Sequence, residues 1–224
     1  MEISLKELEI ILSTLEDICN PKPHLEQWTT LPRIAAEMLL YAYEDGNIAD
    51  KTCADFGCGN GILTIGLLIL NARRIYAIDI DIDAIKTTRR NLERIAKIYN
   101  ISDFEERVII LHEDIRRLQA FPVDTIIMNP PFGVEPQTRH ADRYFLIKAF
   151  EMANVIYSLH HSTEKSRKFL SRLAKENCFE STIIKTFDFA LRARFWFHKH
   201  EKRTIKTDFY VFKRRCYRRW CQHG

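Results

Sequence analysis

No run of this chain approaches the roughly 18 consecutive apolar residues of a membrane span, although 46% of its residues are hydrophobic. Its start, Met1-Glu2-Ile3-Ser4-Leu5-Lys6-Glu7, is charged and helical in pattern, unlike a signal peptide. The cysteines, Cys19, Cys53, Cys58, Cys178, Cys216 and Cys221, contain no C-x-x-C pair. A disulfide framework is therefore disfavoured, and buried free thiols in an intracellular protein are expected. Cys216, Cys221 and His223 match no common structural zinc spacing. His198 and His200 are read as structural or ligand-facing, so no metal is expected. Internal repeats, low-complexity stretches and linkers are absent too. The 224 residues then make one domain, on a prior of roughly 100–200 residues per domain.

What is present is unevenly charged. The net charge is only +4, yet Arg192, Arg194, Lys199, Lys202, Arg203, Lys206, Lys213, Arg214, Arg215, Arg218 and Arg219 crowd the last stretch. Phe195, Trp196, Phe197, Tyr210, Phe212 and Tyr217 are interleaved with them. A basic, aromatic block of this kind is the composition of a polyanion contact surface; the alternative is a solvated tail.

Apolar residues at helical spacing predict an amphipathic helix over residues 2–18, stopped by Asn20-Pro21-Lys22-Pro23. A second helix is expected from Pro32 to about Tyr43. Seven strands follow, at Thr52–Phe56, Ile75–Ile80, Val108–Leu111, Val123–Met128, Val155–Leu159, Cys178–Phe187 and Ile205–Phe212. Helices at Ile62–Leu70, Ala84–Ile98, Arg143–Ala153 and Thr163–Lys175 separate most of them. This alternation implies an α/β fold, a doubly wound, mostly parallel sheet closed by an antiparallel hairpin. The expected division is a helical cap at 1–45, a core at 46–213 and a basic tail at 214–224.

Two stretches carry chemistry. Asp55-Phe56-Gly57-Cys58-Gly59-Asn60-Gly61 joins the first strand to its helix. Glycines at alternate positions let the backbone turn tightly and approach a ligand, where doubly wound sheets bind them. It matches neither G-x-G-x-x-G nor a phosphate loop. Asp79 ends the second strand, where an acid can accept ribose hydroxyls, and Asp114 follows the third. The other stretch, Asn129-Pro130-Pro131-Phe132, cuts off the apolar run Thr125-Ile126-Ile127-Met128. Two prolines stiffen the loop and offer no N–H. An amide, free carbonyls and an aromatic ring at a strand's carboxyl end suit a planar exocyclic amine. A plain proline-rich turn is the other reading.

The glycine loop with its two acids resembles the first motifs of class I S-adenosylmethionine-dependent methyltransferases. That implies a Rossmann-like seven-stranded fold with S-adenosylmethionine as donor and S-adenosylhomocysteine as product. With Asn129 to Phe132 added, the chain resembles the amino-methylating branch, whose members act on adenine N6, guanine N2 or protein glutamine. Leu5-Lys6-Glu7-Leu8-Glu9, Leu25-Glu26-Gln27-Trp28-Thr29-Thr30, Asp79-Ile80-Asp81, Tyr157-Ser158-Leu159-His160 and Phe195-Trp196-Phe197-His198-Lys199 extend the likeness over nearly the whole chain. Together they are similar to the methyltransferase-like protein five family of small-subunit rRNA N6-adenosine methyltransferases.

The resemblance implies cofactor contacts from Gln27, Thr30, Asp55, Gly57, Gly59, Asn60, Asp79 and Asp114. It implies a catalytic motif at Asn129, Pro130, Pro131 and Phe132, with Phe132 stacking on a flipped adenine. Lys199, Lys202 and Arg203 are expected to hold the RNA backbone. Eukaryotic members pair with a small zinc-binding activator subunit in the nucleus, nucleolus and cytoplasm, which makes that heterodimer a further expectation. Trp28-Thr29 departs from the family's usual Tyr-Pro. A protein-glutamine or guanine-N2 methyltransferase, and a catalytically silent RNA-binding assembly factor, are the rival readings.

Overall fold

The computed structural model describes residues 3–133, 138, 141–191 and 203–215. Helix α1 (Leu5–Ser13) opens with a capping box, in which Ser4 and Glu7 each bond the other's backbone N–H. A single 3-10 turn at Pro23–Leu25 leads through a connector to α2 (Pro32–Glu44), which begins on proline. Then follow β1 (Thr52–Phe56), α3 (Ile62–Ile69), β2 (Arg74–Asp79), α4 (Ile82–Tyr99), α5 (Phe104–Arg107), β3 (Val108–His112) and β4 (Thr125–Met128). The chain continues as α6 (Ala141–Met152), β5 (Val155–His161), α7 (Glu164–Glu176), β6 (Phe179–Leu191) and β7 (Arg203–Arg214).

The strands form one sheet in the order β3-β2-β1-β4-β5-β7-β6. The first five are parallel, and β7 runs antiparallel to both β5 and β6. Strand order reverses between β1 and β4, so the loops leaving β1, β2 and β4 open side by side at one sheet edge. Period-two alternation assigns the faces: Ala54 and Phe56 of β1 pack with α6 and α7, whereas Cys53 packs with α1, α2 and α3. Among the described residues, no helix is long and apolar enough to cross a membrane.

Several boundaries differ from the sequence expectation, and three of them have a visible cause. Helix α1 stops at Ser13 rather than continuing to residue 18, because α4 captures the backbone beyond it. Asn91 accepts the Glu16 N–H and donates to the Glu16 carbonyl, both at 2.9 Å, and Arg94 donates to the Thr14 carbonyl. Strand β4 begins at Thr125 rather than Val123, since the Asp124 carboxylate turns aside to accept the Thr52 N–H at 2.8 Å. Arg214 belongs to β7 and not to a tail. Its guanidinium lies 4.5 Å over the Phe179 ring and donates to the Phe150 and Ala153 carbonyls. Cys53 and Cys58 are buried free thiols as expected, but Cys19 is exposed and Cys178 is partly so.

Candidate active site

A cavity of about 230 Å³ opens at the carboxyl ends of β1, β2 and β4. It gathers Gln27, Thr30, Gly57, Gly59, Asn60, Asp79, Asp114, Asn129 and Pro131 from the expected set. Asp55, Pro130 and Phe132 do not line it. Lys199 and Lys202 lie outside the described residues, and Arg203 starts β7.

The glycine loop is built as its composition requires. Gly57, Gly59 and Gly61 have φ of 72°, 59° and 86°, the left-handed region that L side chains rarely adopt. The Gly57 and Cys58 N–H groups both donate to the Ile78 carbonyl, which pins the loop against β2. A Cβ on Gly59 would meet nothing closer than the Gly57 carbonyl at 3.9 Å. The loop's open side is thus a cradle that a side chain would fill, and it fits the adenosyl portion of a nucleoside cofactor.

Asp79 is 8% exposed. Its Oδ2 accepts the Gly59 N–H and its Oδ1 the Asp81 N–H, each at 2.9 Å. Burial raises its carboxyl pKa, against those two backbone bonds. Each oxygen retains a second lone pair, which suits the ribose hydroxyls. Asp114 is placed differently from a free acceptor. Arg116 grips it through Nε, at 3.0 and 2.9 Å to the two oxygens, and through its own N–H at 2.9 Å. These bonds hold the Asp114 carboxyl below its ordinary range.

Asp55 sits behind the cavity. It points to the face of β1 that carries α3 and accepts both the N–H and the hydroxyl of Thr64, at 2.9 and 2.6 Å. Its role is to fasten the start of α3 under the glycine loop.

The connector before α2 roofs the cavity. Gln27 Nε2 donates to Asp81 Oδ2 at 2.7 Å, beside the Lys22–Asp81 ion pair, and its Oε1 accepts the Lys22 N–H. Thr30 reaches the other way, and its Oγ1 accepts Asn129 Nδ2 at 2.9 Å. The Asn129 carboxamide is thereby fixed in one orientation. Its Oδ1 is buried and has no hydrogen-bond partner among the described residues. An unmatched buried acceptor costs about 1–3 kcal/mol, which a donating ligand would recover.

Phe132 corrects the sequence reading. Its ring is only 9% exposed and packs edge-on against Phe189, with centroids 5.3 Å apart. The backbone is drawn the same way, because the Phe132 N–H donates to Glu26 Oε2 at 2.8 Å. Trp28, Tyr144 and Phe145 line the cavity, and of these Tyr144 is the most open, at 53% exposed. Glu26, Arg116 and Tyr144 were not singled out in the sequence. Glu26 had one weak signal, an acid beside Gln27 in a connector; the other two had none.

A family model described as ribosomal protein L11 methyltransferase (PrmA) matches residues 35–130. The chain is 35% identical over 212 residues to the rRNA N(6)-adenosine-methyltransferase METTL5 of Danio rerio, covering 94% of this chain and 99% of that one. It is 31% identical over 216 residues to the rRNA N(6)-adenosine-methyltransferase Mettl5 of Drosophila melanogaster, covering 94% and 97%. The solved structure of PH1948 from Pyrococcus horikoshii superposes with a TM-score of 0.84 at 36% identity, covering 96% and 99%. The chain belongs to the METTL5 family of rRNA N(6)-adenosine-methyltransferases and uses S-adenosylmethionine as its methyl donor.

Proposed function

We propose that the chain methylates the N6 of one adenosine in structured small-subunit ribosomal RNA, with the base flipped out of its stack into the cavity. The observation that carries this reading is the buried Oδ1 of Asn129, which has no partner among the described residues and is held in place through Thr30. An exocyclic amine would donate one hydrogen to that oxygen. That bond turns the nitrogen lone pair toward the methyl carbon. S-adenosylmethionine, when bound, would supply the methyl group, its sulfur keeping the electron pair of the broken carbon–sulfur bond while the surplus proton of the amine goes to water. No strong base is needed, because the attacking amine is neutral; positioning and dipole alignment supply the acceleration.

Flipping breaks stacking and pairing, and an aromatic face can return roughly 1–3 kcal/mol per base. Tyr144 is better exposed for that purpose than Phe132. The basic segment with Lys199, Lys202 and Arg203 would hold phosphates and fix register without reading sequence. A small zinc-binding activator subunit and an intracellular site of action complete the reading.

The test is mass spectrometry of nucleosides from ribosomal RNA incubated with labelled cofactor, with and without candidate activator. N6-methyladenosine is the expected product, and Asn129→Ala should lower turnover by at least 100-fold while leaving cofactor affinity nearly unchanged. Label in guanosine or in protein would replace this substrate assignment. Normal turnover in Asn129→Ala would remove the role of the carboxamide.

A further inference from the structure

The roof of the cavity contains a buried acid that neither the glycine loop nor the Asn-Pro-Pro-Phe motif explains. Glu26 is 5% exposed and has φ of 48°. A left-handed conformation at a non-glycine residue is unfavourable and persists only where surrounding bonds hold it. This conformation caps the 3-10 turn, where the Glu26 N–H donates to the Pro23 carbonyl at 3.0 Å, and the side chain leaves the turn for the catalytic loop. Oε2 accepts the Phe132 N–H at 2.8 Å, and Oε1 accepts the Thr138 hydroxyl. Pro130 and Pro131 have no N–H, so Phe132 supplies the first backbone donor after Asn129 by which the loop can be anchored. Glu26 takes that donor.

The same connector is tied at its other end. Lys22 and Gln27 both donate to Asp81, whose own N–H donates to Asp79. Residues 22–30 therefore form a strap from the cofactor acid to the amine-binding loop, with Thr30 on Asn129 and Glu26 on Phe132. We propose that Glu26 is a positioning residue, which anchors the loop at Phe132 so that the Asn129 carboxamide oxygen stays aimed into the cavity. This rests on the reading of Asn129 as acceptor for the substrate amine.

The groups that the carboxylate holds among the described residues, the Phe132 N–H and the Thr138 hydroxyl, are both donors, and an amide can serve them. In Glu26→Gln, Oε1 would accept the Phe132 N–H and Nε2 would donate to the Thr138 hydroxyl, which can rotate to accept. Glu26→Asp keeps the charge but is one methylene too short to reach both. Glu26→Ala leaves the Phe132 N–H buried without a partner.

The experiment compares the full-length wild type with Glu26→Ala, Glu26→Asp and Glu26→Gln. Turnover on ribosomal RNA, calorimetric affinity for S-adenosylhomocysteine and hydrogen exchange of the Asn129 side-chain amide by NMR are measured on each. Misplacement of a reacting group by about 1 Å can cost roughly 100-fold. Glu26→Asp and Glu26→Ala should therefore lose about 10- to 100-fold in kcat, with cofactor affinity within about threefold. Their Asn129 amide protons should exchange at least about tenfold faster as the Thr30 bond loosens. Glu26→Gln should restore both readouts. If Glu26→Ala does not fold, Glu26→Asp carries the comparison. Wild-type kcat and exchange in Glu26→Asp, or a kcat loss matched by an equal loss of cofactor affinity, would overturn the proposal. Label appearing on guanine or glutamine in the wild type would overturn the substrate reading alone, and the Glu26 comparison then runs on that acceptor. Unaltered Asn129 exchange decides against the anchor whatever the substrate.

Discussion

Replacing Asp55 by asparagine is expected to abolish a pH dependence of stability that the wild type carries between acid and neutral pH. Asp55 is fully buried. Its Oδ2 takes both bonds from Thr64, while Oδ1 has no hydrogen-bond partner among the described residues. Burial dominates and lifts the carboxyl pKa from 3.8 to about 7; the Thr64 bonds oppose this, and the charge of Asp79 adds to it. Between those two values the folded state holds a proton that the unfolded chain has released. Stability must then fall as pH rises, by about 1.4 kcal/mol per unit for one proton. The contribution is fully present below the unfolded pKa and is lost by about pH 7. Over roughly three units the loss is about 4 kcal/mol.

Asparagine cannot ionise, so it escapes this loss. It retains an acceptor for Thr64 but places an amide N–H where Oδ1 had no partner, at a cost of about 1–3 kcal/mol. That cost does not vary with pH. The difference in stability between Asp55→Asn and wild type should therefore move by about 2 kcal/mol in favour of the variant from pH 5 to 7, the slope flattening as the folded site reaches its midpoint near pH 7. Urea unfolding of both proteins at half-unit pH steps measures it. Asp79 titrates in both proteins, and most of its effect cancels in the difference. Parallel curves for the two proteins would show that Asp55 takes up no proton on folding, and the burial argument would fail.

Two further outcomes follow from individual contacts. Phe132→Ala should destabilise the protein by about 3–5 kcal/mol, because the ring packs in the core against Phe189. Thermal unfolding reads this as a fall of roughly 10 °C in Tm at this size, and an unchanged Tm would return Phe132 to the role of an open platform. Arg116→Ala should barely alter stability, since the Arg116 side chain is 63% exposed and such pairs contribute about 0–1 kcal/mol. By freeing Asp114 for the cofactor's amino group, it should tighten S-adenosylhomocysteine binding up to about fivefold, read by calorimetry; weaker binding would mean that Arg116 itself holds the cofactor.

The sheet was legible because its signals are local. Apolar runs such as Thr125-Ile126-Ile127-Met128 mark buried strands, and Gly57, Gly59 and Gly61 mark a turn no other residues would make cheaply. Parallel strands also deliver their following loops to one edge, so Asp79, Asp114 and Asn129 could be assigned to one cavity from order alone. The end of α1 was not legible, because Asn91 and Arg94 that stop it lie on a helix far along the chain.

The same distance hid the inner workings of the site. Thr30 and Asn129 are 99 positions apart, and Glu26 and Phe132 are 106 apart. No periodicity relates such pairs, and only the closed roof reveals them. Spacing along the sequence shows which residues share an end of the sheet, but it is silent on which atoms they bond. The family resemblance implies cofactor contacts at Gln27 and Thr30, yet their side chains also bond Asp81 and Asn129. Thr30 still has its hydroxyl proton to donate, so one side chain can touch a ligand while orienting the amine acceptor. A defect at Thr30 should therefore disturb cofactor affinity and turnover together, whereas a defect at Glu26 should leave affinity intact. That contrast follows from where each side chain ends, which the residue types alone do not specify.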